Sequence, residues 1–222
     1  MSDKSFLDTG VVLAFCYTTD KHHFKCREYI DSEDCSMFVS DNVEDEYENA
    51  RYRLNEQHAN AVLSHVSDLR NSKYEGEYNI GPVKQKEIRD NVLCRGNEVY
   101  QFLSKFYTDY LPQFVTFDEL ESKLRNLARD IESVAVKRKS EIDEFVEIWS
   151  RKSDHPNVEK NLSSIHTEDR EICIDAHDLA ANSDGATEIA TTNPNDFVRN
   201  GHKQLILENT ELSDVVSLAV TT

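Results

Sequence analysis

The sequence predicts an α/β protein, a parallel sheet crossed by helices with a helical segment inserted between its two halves. Three observations predict it. Short apolar runs alternate with amphipathic helical patterns at both ends of the chain, the arrangement of parallel strands joined by crossover helices. Three of those runs stop in polar residues, at Asp8-Thr9, at Ser40 and at Thr191-Thr192-Asn193. Between them, residues 71–155 show helical periodicity only, so 1–70 and 156–222 read as the α/β domain and 71–155 as a helical hairpin inserted into it.

Ser5-Phe6-Leu7 opens the first strand, and the apolar character continues from Val11 to Tyr17 before a turn at Thr18–Asp20. Phe24, Tyr29 and Ile30 share one side of a helix over Lys21–Ile30. Met37-Phe38-Val39 is the second strand, with Ser40, Asp41 and Asn42 as capping candidates for a long helix striped by Val43, Tyr47, Val62, Val66 and Leu69. Asn71–Pro82 is turn-rich and reads as a linker. A helix over Lys84–Leu111 stops at Pro112, and Thr116 with Glu119 forms a capping box for the next one. That helix carries Leu120, Leu124, Leu127, Ile131 and Val134, extended loosely by Ile142, Phe145 and Trp149, and pairs with Lys84–Leu111 in the hairpin. Thr167 caps a helix striped by Ile172, Ala176 and Leu179; Thr187–Thr192 is a strand, Gln204–Leu207 another, and Leu212–Leu218 a terminal helix.

The bulk numbers narrow the function classes. There are 42 acidic and 25 basic residues in 222, a net charge of -17, which favours solubility and makes a poor general clamp for nucleic acid. The best local supply of positive charge is Lys137-Arg138-Lys139, with Arg151 and Lys152 further on. No apolar run is long enough to span a bilayer and the start does not resemble a signal peptide, so the expected location is cytoplasmic. The five cysteines are widely spaced without a C-x-x-C, which suggests neither a disulfide framework nor a zinc site.

Parallel strands bring the three polar ends to one edge of the sheet, beside the helix starts that bear Glu46 and Asp169. Carboxylates that converge without basic partners repel and raise each other's pKa, which a divalent cation relieves. Oxygen-only ligands favour Mg²⁺ or Mn²⁺ over zinc. Such ions activate water in phosphodiester hydrolysis.

The motifs resemble those of the PIN-domain family of metal-dependent nucleases. L-D-T-G-V-V-L-A is similar to the family's first motif, S-D-N-V-E-D-E-Y to its second with Glu46 as the acid, D-R-E-I-C-I-D-A-H-D-L-A to its third, and I-A-T-T-N-P-N-D-F to its closing one. Gly10 stands where the family often has Asn. The resemblance implies a three-layer α/β/α fold around a parallel sheet of four to five strands. It also implies a ribonuclease in which Asp8, Glu46, Asp169 and Asp196 are catalytic and hold Mg²⁺ or Mn²⁺, with Thr9, Ser40, Thr192 and Asn193 behind them or facing phosphate. The third acid stays open between Asp169, which fits the apolar pattern, and Asp175, which lies at the more usual distance from Thr191; six positions apart, they face away from each other. The fourth stays open between Asn193 and Asp196. The implied partners are RNA and, for members that are toxins, an antitoxin protein; the helical segment offers a homodimer contact, and no membrane is involved. The alternative is a catalytically degenerate PIN-like module acting in assembly.

Overall fold

The computed structural model describes residues 2–32, 34–93 and 98–220. Its centre is a parallel five-stranded sheet, β1 (Lys4–Leu7), β2 (Ser36–Ser40), β3 (Val146–Trp149), β4 (Thr187–Thr191) and β5 (Asp214–Ser217), in the spatial order β3-β2-β1-β4-β5. Phe6 and Leu7 in β1, Met37 to Val39 in β2 and Ile189 and Ala190 in β4 are all buried, as expected of strands covered on both faces. The helices flanking the sheet are α1 (Thr9–Cys16), α2 (His23–Ser32), α3 (Asp41–Arg70), α4 (Pro82–Leu93), α5 (Glu98–Lys105), α6 (Phe117–Ile142), α7 (Pro156–Asn161), α8 (Thr167–Asn182), α9 (Pro194–Phe197) and α10 (His202–Asn209). The α/β architecture is therefore present and consistent with three layers. Among the described residues no helix is long and apolar enough to cross a membrane.

Several elements differ from the sequence reading, each for a physical reason. The apolar run after β1 turns at once into α1, which buries nearly its whole surface and so shows no amphipathic period. The last two elements exchange types. Gln204–Leu207 belongs to α10, and the stretch read as a terminal helix contains β5, whose Val215 and Val216 pair with Ile189 and Ala190 of β4. A short apolar run does not distinguish strand from buried helix by period, and here the β-branched pair Val215-Val216 is what marks the strand. Within the helix expected over Lys84–Leu111, the described residues form α4 and α5, with residues 94–97 between them outside the described residues, and a π-helical turn spans Phe106–Tyr110. Cys94 lies outside the described residues.

The segment 71–155 is not wholly helical. Val146–Trp149, expected to prolong a helical stripe, pairs as a strand with Met37–Ser40 and forms one edge of the sheet. Nor is α4 or α5 the main partner of α6. Lys139 at its end bonds Glu44 at the start of α3 (2.9 Å), and Glu121 at its start bonds Arg70 at the end of α3 (2.5 Å), so α3 and α6 run antiparallel along each other. The capping box expected at the head of α6 is present, with Glu119 accepting from the Thr116 N–H at 2.8 Å and returning its own N–H to the Thr116 hydroxyl at 3.2 Å.

Candidate active site

In an open parallel sheet the ligand crevice lies at the carboxyl edge where the strand order reverses. Here that point is between β1 and β4, and Asp8 and Thr191 stand there. Asp8 closes β1 and caps α1, its Oδ1 accepting the Val11 N–H at 2.8 Å; its Oδ2 accepts the Thr191 hydroxyl. Thr191 in turn accepts the Asn193 N–H at 2.9 Å. One buried acid is thus locked to two strand ends.

Asp8 is 3% exposed. Burial pushes its carboxyl up to about 7; the Thr191 hydroxyl and the Val11 N–H oppose the rise, and the charge of Asp169 adds to it. Across the cleft, Asp169 sits in the first turn of α8, where its carboxyl rises to about 6, first from burial and then from the charge of Asp196, with Glu46 contributing. Asn193 steadies this side: its amide donates to Asp196 at 3.1 Å and to Asp169 at 3.3 Å. Glu46, one turn into α3, accepts the Thr9 hydroxyl at 2.5 Å. Asp8, Thr9, Glu46, Asp169 and Asn193 all line one open cleft of about 520 Å³.

The two candidates for the third acid are separated in space. Asp169 faces the cleft. Asp175 is buried on another side of α8, where it accepts Arg151 Nε at 2.7 Å and Asn42 Nδ2 at 2.9 Å. Asp196 stands behind Asn193 and beside Asp169. Ser40 ends β2 with its hydroxyl buried and, among the described residues, without a hydrogen-bond partner. Thr192 lines an adjoining cavity with Asn193 and packs against Gly10.

Two charged lining residues escape the sequence reading. Glu168 precedes Asp169 in the cleft, and Arg53 is its one basic lining residue. The signal for Arg53 is its spacing: seven positions after Glu46, it returns to the same face of α3 two turns on. The basic residues singled out from sequence are largely committed elsewhere, Lys139 to Glu44 and Asp143, and Arg151 to Asp175 and Glu171.

Gly10 has a steric role. A Cβ there would lie 2.2 Å from the Thr192 hydroxyl oxygen, well inside contact distance. Gly10→Ala is therefore expected to cost about 1–3 kcal/mol, and Gly10→Ala combined with Thr192→Ala to recover most of it. A urea-denaturation double-mutant cycle measures this; additive losses would show that the two positions do not clash.

The donors in the cleft are oxygens only, and two of the acids are held in surroundings that disfavour their charge, which is the chemistry a hard divalent cation relieves. They are not drawn into a cage: among the described residues no group of three or more His, Cys, Asp or Glu is placed to hold an ion. Mg²⁺ rarely takes an all-protein cage, relying on one or two carboxylates, water and substrate phosphate. Asp8 and Asp169 fit that mode. Comparison with protein-family models, curated proteins and solved structures returns no match for this chain.

Proposed function

We propose that this protein is a Mg²⁺- or Mn²⁺-dependent endoribonuclease with a PIN-like fold, hydrolysing RNA phosphodiesters in the cleft between the ends of β1 and β4. The observation that carries the reading is the pair Asp8 and Asp169: two shielded acids of raised pKa on one cleft at the sheet's switch point, with no ion pair to a basic side chain among the described residues. Asp8 and Asp169 would hold the ion, with Glu46 facing it across the cleft; when bound it supplies Lewis-acid stabilisation of the phosphate and a nucleophile at neutral pH. The remaining roles belong to their neighbours. Thr191 fixes the Asp8 carboxylate, Asn193 aligns Asp169 with Asp196, and Thr9 orients Glu46.

The test uses a labelled single-stranded RNA with Mn²⁺ or EDTA. Cleavage is expected with the metal alone and is lost in Asp169→Asn, whereas Asp175→Asn keeps it per folded molecule. Equal cleavage in EDTA, or retention by Asp169→Asn, overturns the reading. A degenerate module acting in assembly is the second reading, favoured by the absence, among the described residues, of a gathered ligand group. Calorimetry separates the two: Mn²⁺ binding that disappears in Asp169→Asn supports the nuclease, and no uptake up to millimolar concentration supports the module.

A further inference from the structure

Resting on that reading, the structure assigns a track along which an extended single strand leaves the carboxylate cleft, with Arg53, Arg199, Lys25 and Lys105 holding successive phosphates. The need for such a track follows from charge. Nucleic acid binds largely through neutralisation of its phosphates, yet the cleft itself is lined by Asp8, Glu46, Glu168 and Asp169 against one arginine. A strand held only there would be repelled.

The cleft does not end at Arg53. A second cavity of about 490 Å³ shares Gly10, Leu13, Arg53 and Asn193 with it and adds Lys21 and Arg199. A third, of about 300 Å³, shares Asp20, Lys21 and Val220 with the second and adds Lys25, Lys105 and Glu28 beside Phe24. Together the two outer cavities are lined by five basic side chains and two acidic ones, in a chain that has 25 basic and 42 acidic residues. The local sign is opposite to that of the molecule.

The four named cations are also not engaged by carboxylates among the described residues. All four are exposed. Arg199 donates to the Asn195 side-chain oxygen at 3.1 Å, and Lys25 to the Ser217 and Ala219 carbonyls at 3.1 and 3.3 Å. Lys105 lies 3.5 Å from the centre of the Phe24 ring. No carboxylate among the described residues forms an ion pair with any of them, in contrast to Lys139, Arg70 and Arg151. Cavities of this size suit one flexible strand and not a double helix. The occupant is a single-stranded oligonucleotide that continues past the cut site, and a lone phosphodiester reaches only Arg53.

Binding tests this separately from cleavage. Anisotropy of a labelled twelve-nucleotide RNA is followed in EDTA with the full chain and with Arg53→Glu, Arg199→Glu, Lys25→Glu and Lys105→Glu. Each variant is expected to weaken binding by about tenfold and to lower the salt slope by roughly 0.7 for each contact removed. Lys73→Glu is the control: it makes the same charge change past the end of α3, about 25 Å along the helix from Arg53, and is expected to leave binding unchanged. Failure of the RNA to bind, equal losses in the control, or wild-type binding by all four variants overturns the track. So does a polyglutamate peptide that competes as well as RNA, since the surface would then serve an acidic protein partner. Metal-dependent hydrolysis of bis(p-nitrophenyl) phosphate is measured alongside. Its absence counts against the nuclease reading, while the binding series alone judges the track.

Discussion

Asp8→Asn is expected to make the protein more stable at pH 8 while removing the metal-dependent cleavage proposed above. The stability half follows from linkage. A carboxyl whose pKa is higher in the fold than in the unfolded chain favours the native state while it is protonated; that contribution is complete below about pH 4 and is lost as pH rises to the folded value. For Asp8 the window runs from 3.8 to about 7, which corresponds to roughly 4 kcal/mol at most. Asparagine has nearly the same shape, can still accept the Val11 N–H, and carries no charge to desolvate. The expected gain is about 2–4 kcal/mol at pH 8, shrinking toward zero at pH 4, read from urea denaturation of both proteins across that range. Mg²⁺ should narrow the gap at pH 8 by stabilising the wild type alone. A variant less stable than wild type at pH 8 would show that Asp8 is held by its hydrogen bonds more than it is strained by burial.

Asp178→Asn is expected to do the opposite. Asp178 is fully buried in α8 and accepts from Trp149 Nε1 (3.0 Å), the Lys152 N–H (2.8 Å), the Ser153 N–H (3.2 Å), His155 Nε2 (2.8 Å) and Asn182 (3.1 Å). Burial alone raises such a carboxyl; the bonds from His155, Lys152 and Trp149 outweigh it and bring the pKa below the ordinary value. The stability it contributes is therefore present above about pH 4 and is lost as pH falls through the depressed folded value. An amide turns one acceptor oxygen into a donor facing other donors, at a cost of about 2–5 kcal/mol. The loss should be largest near pH 7 and smaller near pH 3. Trp149 reports it directly, because the same substitution frees the indole N–H. A variant with unchanged midpoint and unchanged tryptophan emission would mean that residues 149–155 are held by other contacts.

The contrast between these two acids shows what the sequence made readable. Asp8 announced itself because an acid at the end of a buried run must meet something, and the strand-end residues Thr191 and Asn193 did the same. Glu46 and Asp169 were singled out by the resemblance of the second and third motifs, since an acid near a helix start is by itself ordinary. Asp178 was not found, since its partners come from a segment read as helix and loop, and only the fold carries Trp149 and His155 to it. Arg53 was passed over as one charge among many on a long amphipathic helix. The exchange of α10 and β5 has a similar origin: Gln204–Leu207 and Asp214–Ser217 are both short, and what decides their states is pairing with β4, a contact nearly absent from local pattern. Of the two candidates left open for the third acid, Asp175 is bonded by Arg151, a partner only the fold brings to it, whereas Asp169 lines the cleft.

The antiparallel pair of α3 and α6 bears on how the sheet's edge closes at all. β2 and β3 are neighbours in register, yet the chain between them runs from Asp41 to Phe145. Joining two strands through so long a flexible loop would carry a large closure entropy. Once the two helices lie along each other, with Glu44 held to Lys139, the loop's ends already meet within a few residues of both strands. What remains to be closed is a short gap, and β3 docks as if it followed a tight connection.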